Sequence, residues 1–155
     1  HTGPNESEPR LAYLTKKGTF AENTTVHVPD GRGGEVAVYF RTNCSSGGGH
    51  KNIIHRFSMD LGSTERTEDF EWRMATKGVV KNYGNYGFVL YHMREGGEEI
   101  VAALGLGKSS LTKKFTWTLL GDGATGIFGR EWEIVALATA IRADKLELDR
   151  LVSTA

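Results

Sequence analysis

Short runs of apolar and β-branched residues, separated by polar and Gly-rich segments, fill the chain from Leu11 to Leu120. The clearest run alternates large apolar side chains with charged ones. A period of two predicts a strand with one apolar face and one charged face. The residues of this run are Phe70, Glu71, Trp72, Arg73 and Met74.

The same criteria predict about nine strands at a spacing of roughly ten residues, which favours an all-β barrel or sandwich. Residues 43–50 are small and polar, and they are predicted to form a loop because they offer little side chain for packing. Gly84 and the pair Gly96–Gly97 mark hairpin turns. The predicted strands are residues 11–14, 24–28, 35–41, 52–60, 70–74, 78–81, 86–92, 98–104 and 114–120.

The most apolar stretch of the chain, residues 128–143, predicts a buried helix. Between Ile134 and Ile141 only Thr139 is polar, and a helix that is apolar all round is expected to be buried on every side. The pattern therefore predicts a β-sheet wrapped around one late helix. Residues 144–152 are amphipathic, and they either extend this helix or form a separate turn outside it.

The 155 residues are predicted to form one domain. Residues 1–10 are polar and contain two prolines, so a flexible tail is expected ahead of a domain at residues 11–155. Lys plus Arg and Asp plus Glu both number 19, which removes the global electrostatic argument for nucleic acid as a partner. No apolar run approaches the roughly 20 residues that span a bilayer, so no transmembrane segment is predicted.

Cysteine content and glycosylation sequons indicate different compartments. Cys44 is the only cysteine, so no internal disulfide can form and a reducing compartment is favoured. Three N-x-Ser/Thr sequons, at Asn5, Asn23 and Asn43, favour secretion instead. We expect a cytoplasmic or membrane-peripheral protein, with secretion as the alternative.

Residues 102–109 match a relaxed phosphate-loop pattern with Ala102 in place of the first glycine. A true phosphate loop leads into a helix whose N-terminus helps to bind the phosphates. Here the residues after Ser109 are predicted to form a strand, and no separate apolar strand ending in Asp is predicted to hold magnesium. We interpret the segment as a Gly-rich turn.

Residues 121–126 spell G-x-G-x-x-G between a predicted strand and the predicted helix, as in a dinucleotide-binding fold. Only about thirty residues remain after Gly126, and nearly all are predicted to be helical. A βαβ unit needs a second parallel strand, and the preceding segments lack the crossover helices of a parallel sheet. We interpret the motif as the turn into the helix, and we predict no cofactor.

Spacings typical of metal sites and catalytic sets are missing from the sequence. No histidine belongs to an H-x-H or H-E-x-x-H pair, and Cys44 has no assignable base. Carboxylates such as Glu71 are predicted to lie on solvated faces. We predict no metal site and no catalytic residue, and an enzyme is the least favoured class. The histidines are His1, His27, His50, His55 and His92.

One local concentration of lysines is a candidate for contact with lipid head groups or other anions. Lys113 and Lys114 adjoin the start of the last predicted strand. Because adjacent residues on a strand point to opposite faces, the alternative is a solvated edge that opposes edge-to-edge pairing. The candidate residues are Lys77, Lys81, Lys108, Lys113 and Lys114.

The order of several motifs resembles that of a known family. The motifs are residues 70–73 (FEWR), 98–102 (EEIVA), 113–117 (KKFTW) and, after the glycine-rich segment, 129–133 (GREWE). Across about residues 11–143 the chain resembles small fungal proteins of the tubby C-terminal-like group, whose superfamily includes the plant LURP-one-related proteins and the scramblases. The resemblance implies a closed antiparallel β-barrel of about 9–12 strands around a hydrophobic central helix at about residues 130–143.

The resemblance also implies a function, because tubby proteins bind phosphoinositides or membrane surfaces and no enzyme activity is general among them. The tubby lipid site has no residue-by-residue match in this sequence. We therefore hypothesise a non-enzymatic binding or tethering module that acts at phospholipid head groups or on a protein partner. The alternatives are a secreted fungal interaction protein of the effector type and, less favoured, an enzyme with a site at the barrel mouth. No oligomeric state is predicted.

Overall fold

The protein is mainly β, with one long helix after the last strand. The computed structural model describes residues 10–16, 23–47, 50–61, 66–107 and 115–153, with the backbone alone for 44–47 and 50–52. The strands in these ranges are β1 (Tyr13–Lys16), β2 (Thr24–Pro29), β3 (Glu35–Gly47), β4 (His50–Leu61), β5 (Arg66–Ala75), β6 (Tyr86–Arg94), β7 (Gly97–Leu106) and β8 (Phe115–Leu119). The helix α1 is Gly129–Ser153, and 3₁₀ helices cover Gly78–Asn82 and Gly121–Thr125.

The strands form one antiparallel sheet in which each strand pairs with the next along the chain, from β1 to β8. A mainly β fold with a late helix is therefore confirmed. Among the described residues β1 and β8 do not pair with each other, so closure into a barrel is not confirmed. Eight strands are found in these ranges where the sequence and the resemblance predicted about nine to twelve.

The prediction of a loop at residues 43–50 is wrong. Most of these residues lie in β3 and β4, where Asn43 pairs with Ile54 and Gly47 pairs with His50. Backbone pairing in a hairpin does not require large side chains, so small residues extend the ladder beyond the apolar core. The β3–β4 hairpin is accordingly longer than its hydrophobic pattern indicates.

The prediction of a strand at residues 78–81 is also wrong, because the first 3₁₀ helix covers them. Gly78 has a φ of +69°, which glycine adopts without the steric strain of other residues. The backbone N–H groups of Tyr83 and Gly84 both donate to the carbonyl oxygen of Val80 at 2.9 Å. The turn reverses the chain between β5 and β6, and it buries the side chain of Val80.

The helix α1 is longer than the predicted 130–143, and it is not buried on every side. It continues to Ser153, so the amphipathic residues 144–152 extend it. Ile141 is 47% exposed, because the described strands do not enclose the helix completely. The buried residues of α1 include Trp132, Val135, Ala136, Thr139, Ala140 and Ala143.

Aromatic rings from the sheet and from the start of α1 form the centre of the core. The ring of Phe70 lies 5.6 Å from the rings of both Phe128 and Trp132. Trp72 Nε1 donates a 2.9 Å hydrogen bond to Thr139 Oγ1, which joins β5 to the middle of α1. The Thr139 hydroxyl also donates to a backbone carbonyl of the preceding turn at 2.8 Å. Thr139, the one polar residue between Ile134 and Ile141, is therefore satisfied, as a buried polar group must be.

A β-bulge between β6 and β7 changes the faces that the first residues of β7 occupy. Leu90 pairs with Ala102, but Tyr91 pairs with Ile100, so Val101 is an extra residue. Because side chains alternate along a strand, one extra residue moves every residue before it to the opposite face. The bulge thereby positions two acidic residues at the start of β7.

Candidate functional site

Two concavities of the protein carry convergent polar side chains. The end pocket has a volume of about 470 Å³ beside the start of α1, and its lining includes Glu68, His92, Arg94 and Asp122. The outer groove has a volume of about 360 Å³ on the face of the sheet that points away from α1. The polar lining of the outer groove is Tyr39, Arg41, Asn43, Arg56, Ser58, Asp69 and Glu71.

His92 is the buried titratable group of the end pocket. Its Nε2 lies 2.8 Å from Glu68 Oε2, and Arg94 Nε donates a 3.0 Å hydrogen bond to its Nδ1. Because a guanidinium can only donate, Nδ1 is the acceptor and Nε2 carries the proton that is donated to Glu68. Both ring nitrogens are engaged, so neither is available to take a proton from a ligand.

The bulge places Glu99 opposite His92, on the inner face of the sheet. Glu99 Oε2 lies 2.9 Å from an Nη of Arg94, and Glu99 Oε1 accepts a 3.0 Å hydrogen bond from the backbone N–H of Asp122. The side chain of Asp122 also accepts from Arg94, and this contact raises the pKa of the Arg94 guanidinium. These bonds hold the second 3₁₀ helix on the sheet, so a structural role accounts for the cluster.

Glu71 lies at the floor of the outer groove with its side chain only 3% exposed. It accepts hydrogen bonds of 2.6 Å from Arg56 Nε and from Arg73 Nε. Burial raises the pKa of Glu71, but the hydrogen bonds from Arg73 and Arg56 lower it by more, so the pKa lies below its ordinary value. The predicted solvated position of Glu71 is wrong, because two arginines cover its outward-facing carboxylate.

Arg73 is balanced by a second carboxylate and by an aromatic ring. The bulge places Glu98 on the outer face, where Arg73 Nη1 donates to Glu98 Oε1 at 2.9 Å. The Arg73 guanidinium carbon also lies 4.3 Å from the centroid of the Tyr91 ring, which is a cation–π contact. Arg73 therefore has its full set of partners within the protein.

Arg41 and Arg56 lie directly opposite each other on β3 and β4. Like charges at directly opposite positions destabilise an antiparallel pair. Glu71 compensates Arg56, whereas no carboxylate among the described residues forms an ion pair with Arg41. The Arg41 guanidinium lies 5.5 Å from the centroid of the Tyr39 ring. The outer groove thus contains one cation whose charge the described residues do not balance directly.

A third polar cluster is buried between the sheet and α1, around His55. Its Nδ1 lies 2.9 Å from Thr42 Oγ1, and its Nε2 has no hydrogen-bond partner among the described residues. Burial, together with the charges of Arg150 and Arg142 on α1, lowers the pKa of His55 to about 4. The ring is therefore neutral near pH 7, and we expect His55 to affect stability rather than ligand binding.

The structure places two of the five predicted lysines. Lys77 and Lys81 are exposed, at the beginning and in the last turn of the first 3₁₀ helix. Lys108, Lys113 and Lys114 lie outside the described residues. Of the predicted anion site, the structure therefore describes only the positions of Lys77 and Lys81.

The described residues show neither a metal-binding cluster nor a membrane-spanning helix. They contain no group of three or more His, Cys, Asp or Glu side chains placed to hold a metal ion. None of the helices in this part of the chain combines the length and the apolar character needed to cross a membrane.

The two ends of the sheet differ in charge. In a meander, the strand ends that lead into the β3–β4, β5–β6 and β7–β8 turns all lie at one end, which we name the basic end. Each of these three turns lies in a segment without Asp or Glu, namely residues 36–59, 72–94 and 100–121. The strand ends that flank the β1–β2 connection, which contains Glu22, also lie at this end. The second half of α1 runs towards the same end, because Arg142 donates to Thr24 at the start of β2, and it carries Asp144, Glu147 and Asp149. The opposite, acidic end contains the β2–β3, β4–β5 and β6–β7 turns and the start of α1. Its carboxylates are Asp30, Glu35, Asp60, Glu68, Asp69, Glu95, Glu98, Glu99, Asp122, Glu131 and Glu133.

The sequence-based prediction missed the arginines of the outer groove. Arg41 and Arg56 belong to no common motif, and their proximity follows from the register of the β3–β4 hairpin. A hairpin centred between Gly47 and His50 would have placed the two arginines opposite each other. Because residues 43–50 were predicted to form a loop, this register was not predicted.

Comparisons with protein families, with curated proteins and with solved structures found no match. The class of the protein is therefore defined by its fold and its sites. In the part of the chain that the structure describes, it is a mainly β domain with an eight-stranded antiparallel sheet, a long helix across the inner face, and an arginine-lined groove on the outer face.

Proposed function

We propose that the protein is a non-enzymatic binding or tethering module that docks its basic end on anionic phospholipid or phosphoinositide head groups. The observation that carries this proposal is the absence of Asp and Glu from the segments that hold three of the turns at the basic end, in a chain of zero net charge. The acidic end lies about 30 Å away along the longer strands, beyond the roughly 8–10 Å over which physiological salt screens charge. A bilayer facing these three turns is therefore closer to the lysines than to the carboxylates of the acidic end.

Two exposed apolar side chains lie at the same end of the sheet as these lysines. Met74 and Phe115, at strand ends on this side, are 41% and 42% exposed. Each Lys or Arg close to an anionic membrane contributes about 1 kcal/mol, and inserted apolar side chains add to this attraction. In our proposal Lys108, Lys113 and Lys114 act together with Lys77 and Lys81, since two lysines alone would bind only weakly.

The complete fold that we propose is a closed barrel of about 9–12 strands, as in the tubby C-terminal-like group of small fungal proteins. Two observations support it: the sheet is a meander, and α1 lies across its inner face. Closure would require pairing by residues outside the described ranges, next to β1 and β8. Such a module would be cytoplasmic or membrane-peripheral.

The second candidate is a secreted interaction protein that binds a protein partner. Asn23 and Asn43, both within sequons, have exposed side chains, so a glycan could be attached at each without entering the core. Intact mass measured on the protein from its native source distinguishes the candidates. A glycan on either asparagine would support secretion, and an unmodified cytosolic protein would exclude it.

An enzyme is the least supported class. The end pocket offers His92, but both nitrogens of its ring are engaged by Glu68 and Arg94. A histidine that acts as a general base needs a free ring nitrogen within hydrogen-bond reach of the substrate. The arrangement therefore favours a structural role for the pocket residues.

Replacing Lys77 and Lys81 with glutamate is expected to weaken binding to vesicles that contain phosphatidylserine and phosphoinositide roughly tenfold or more. Each lost lysine removes about 1 kcal/mol, and each added glutamate is repelled by the same surface. Vesicle co-sedimentation at low and at high salt measures the effect. The pair Lys113→Glu and Lys114→Glu is expected to act in the same direction.

The matched control is Arg32→Glu with Arg130→Glu, which makes the same change in net charge at exposed positions of the acidic end. This control is expected to retain vesicle binding. Equal losses in the two double variants would show that net charge, rather than the basic end, governs binding. If the unaltered protein binds no vesicle of any composition, the lipid proposal is wrong.

A further inference from the structure

We propose that the outer groove binds a small phosphate monoester, with Arg41 and Arg56 holding the phosphate group. The groove lies on the outer face of β3, β4 and β5, so this site is separate from the membrane contact proposed for the basic end. The proposal follows from the donors of the two arginines, the size of the groove and the distribution of charge in it.

The two guanidinium groups have donors that the described residues leave open. Arg56 Nε donates to Glu71, and no described residue accepts a hydrogen bond from the Arg56 Nη groups. Arg41 contacts the ring of Tyr39, and no described residue accepts a hydrogen bond from it. Directly opposite residues on antiparallel strands have Cβ atoms about 5 Å apart, so both guanidinium groups can reach one ligand. Planar guanidinium forks match the geometry of phosphate oxygens, which each fork can bind in a bidentate manner.

The dimensions of the outer groove suit a small molecule. Its volume of about 360 Å³ falls in the range of roughly 300–1,000 Å³ that is typical of small-molecule sites. Asn43 and Ser58 add polar groups to the lining, while Tyr39 and Met93 offer an aromatic ring and a thioether. A phosphate on an aromatic or apolar group would thus meet cations at one point and apolar surface beside it.

The carboxylates of the groove do not prevent an anion from binding near Arg41. Glu71 is buried and saturated by its hydrogen bonds from Arg56 and Arg73. Asp69 accepts a 2.5 Å hydrogen bond from the Ser58 hydroxyl, and it stands on β5, two strands away from Arg41 on β3. Two strand spacings amount to about 10 Å, which is close to the screening length in physiological salt.

Titration of the whole protein with phenyl phosphate and with inorganic phosphate, by calorimetry in a phosphate-free buffer, tests the proposal. We expect saturable one-to-one binding, tighter for phenyl phosphate because its ring contacts Tyr39. Arg41→Gln is expected to raise the dissociation constant roughly tenfold or more, since it removes a charge-assisted hydrogen bond. Arg41→Lys retains the charge but loses the fork, so its loss should be intermediate.

Arg32→Gln is the control, because it removes one exposed arginine at the acidic end, and it should leave phosphate binding unchanged. The urea midpoint of Arg41→Gln should equal that of the unaltered protein, which separates lost binding from lost folding. Absence of saturable binding for both probes, or equal affinities in Arg41→Gln and the unaltered protein, would overturn the proposal. An equal loss in Arg32→Gln would do the same, since it would indicate a bulk charge effect.

Vesicles of phosphatidylcholine with phosphatidic acid distinguish the source of the phosphate. Competition by phenyl phosphate for these vesicles, lost in Arg41→Gln, would identify a lipid phosphate as a ligand of the groove. Binding of phenyl phosphate without competition for vesicles would identify a soluble ligand. Lys77→Glu with Lys81→Glu should weaken vesicle binding but leave the affinity for phenyl phosphate unchanged, so this proposal and the membrane proposal can fail separately.

Discussion

Replacing Trp132 with alanine is expected to lower the free energy of unfolding by about 3–5 kcal/mol, the usual cost of deleting a large buried aromatic side chain. Trp132 is fully buried, and its ring lies 4.6 Å from that of Phe128 and 5.6 Å from that of Phe70. Domains are typically stable by about 5–15 kcal/mol, so the loss would be a large fraction of the total. Urea denaturation followed by far-UV circular dichroism measures the change.

Two control variants separate packing from other effects of Trp132. Trp132→Phe is expected to cost much less, because it keeps most of the ring and removes a buried N–H that has no partner among the described residues. Ile141→Ala, at an exposed position of the same helix, is expected to change stability by no more than about 0.5 kcal/mol. If Trp132→Ala behaved like Ile141→Ala, the start of α1 would not be anchored in the core as described.

Stability is expected to fall by about 2 kcal/mol between pH 7 and pH 5 because of His55 alone. The folded-state pKa of about 4 lies below the ordinary value of 6.5, since burial and the charges of Arg150 and Arg142 disfavour the imidazolium. Between these two values the unfolded chain binds a proton that the folded chain does not. The stabilisation is therefore fully present above pH 6.5 and is lost as the pH falls towards 4.

His55→Asn provides the comparison, because its amide can replace the hydrogen bond to Thr42 but does not titrate. We expect its stability to change less than that of the unaltered protein from pH 7 to pH 5, a range above the ordinary pKa of most carboxylates. Urea midpoints measured at each pH for both proteins give the difference. Parallel profiles for the two proteins would show that His55 does not have the lowered pKa.

Much of the local structure could be predicted from short-range pattern. The alternation at residues 70–74 correctly placed Phe70 and Trp72 in the core, and the apolar stretch correctly indicated α1. Met74 has the same place in the alternation as Phe70 and Trp72, but it is 41% exposed because it lies at the end of β5. Periodicity predicts which face a residue occupies, but it does not show how far the packing partner extends over that face.

The candidate sites were less predictable than the fold. The lysines could be proposed from composition, because clustering of like charge is visible along the chain. The placement of Arg41 directly opposite Arg56 could not be predicted, since it depends on a hairpin register that the apolar pattern leaves open. Glu98 and Glu99 are adjacent in sequence, and only the bulge at Val101 decides that one faces Arg73 and the other faces Arg94.

The sequence by itself determined most of the strand segments and the first part of the helix, because alternation and apolar content are consequences of local backbone geometry. It also determined that long segments of the chain lack acidic residues. Only the tertiary structure decided that three such segments turn at the same end of the sheet, that Glu71 is buried beneath two arginines, and that the pKa of His55 is lowered. The physical reason is that strand order, register and burial depend on contacts between residues distant in the chain. No short-range pattern encodes the free energy of those contacts.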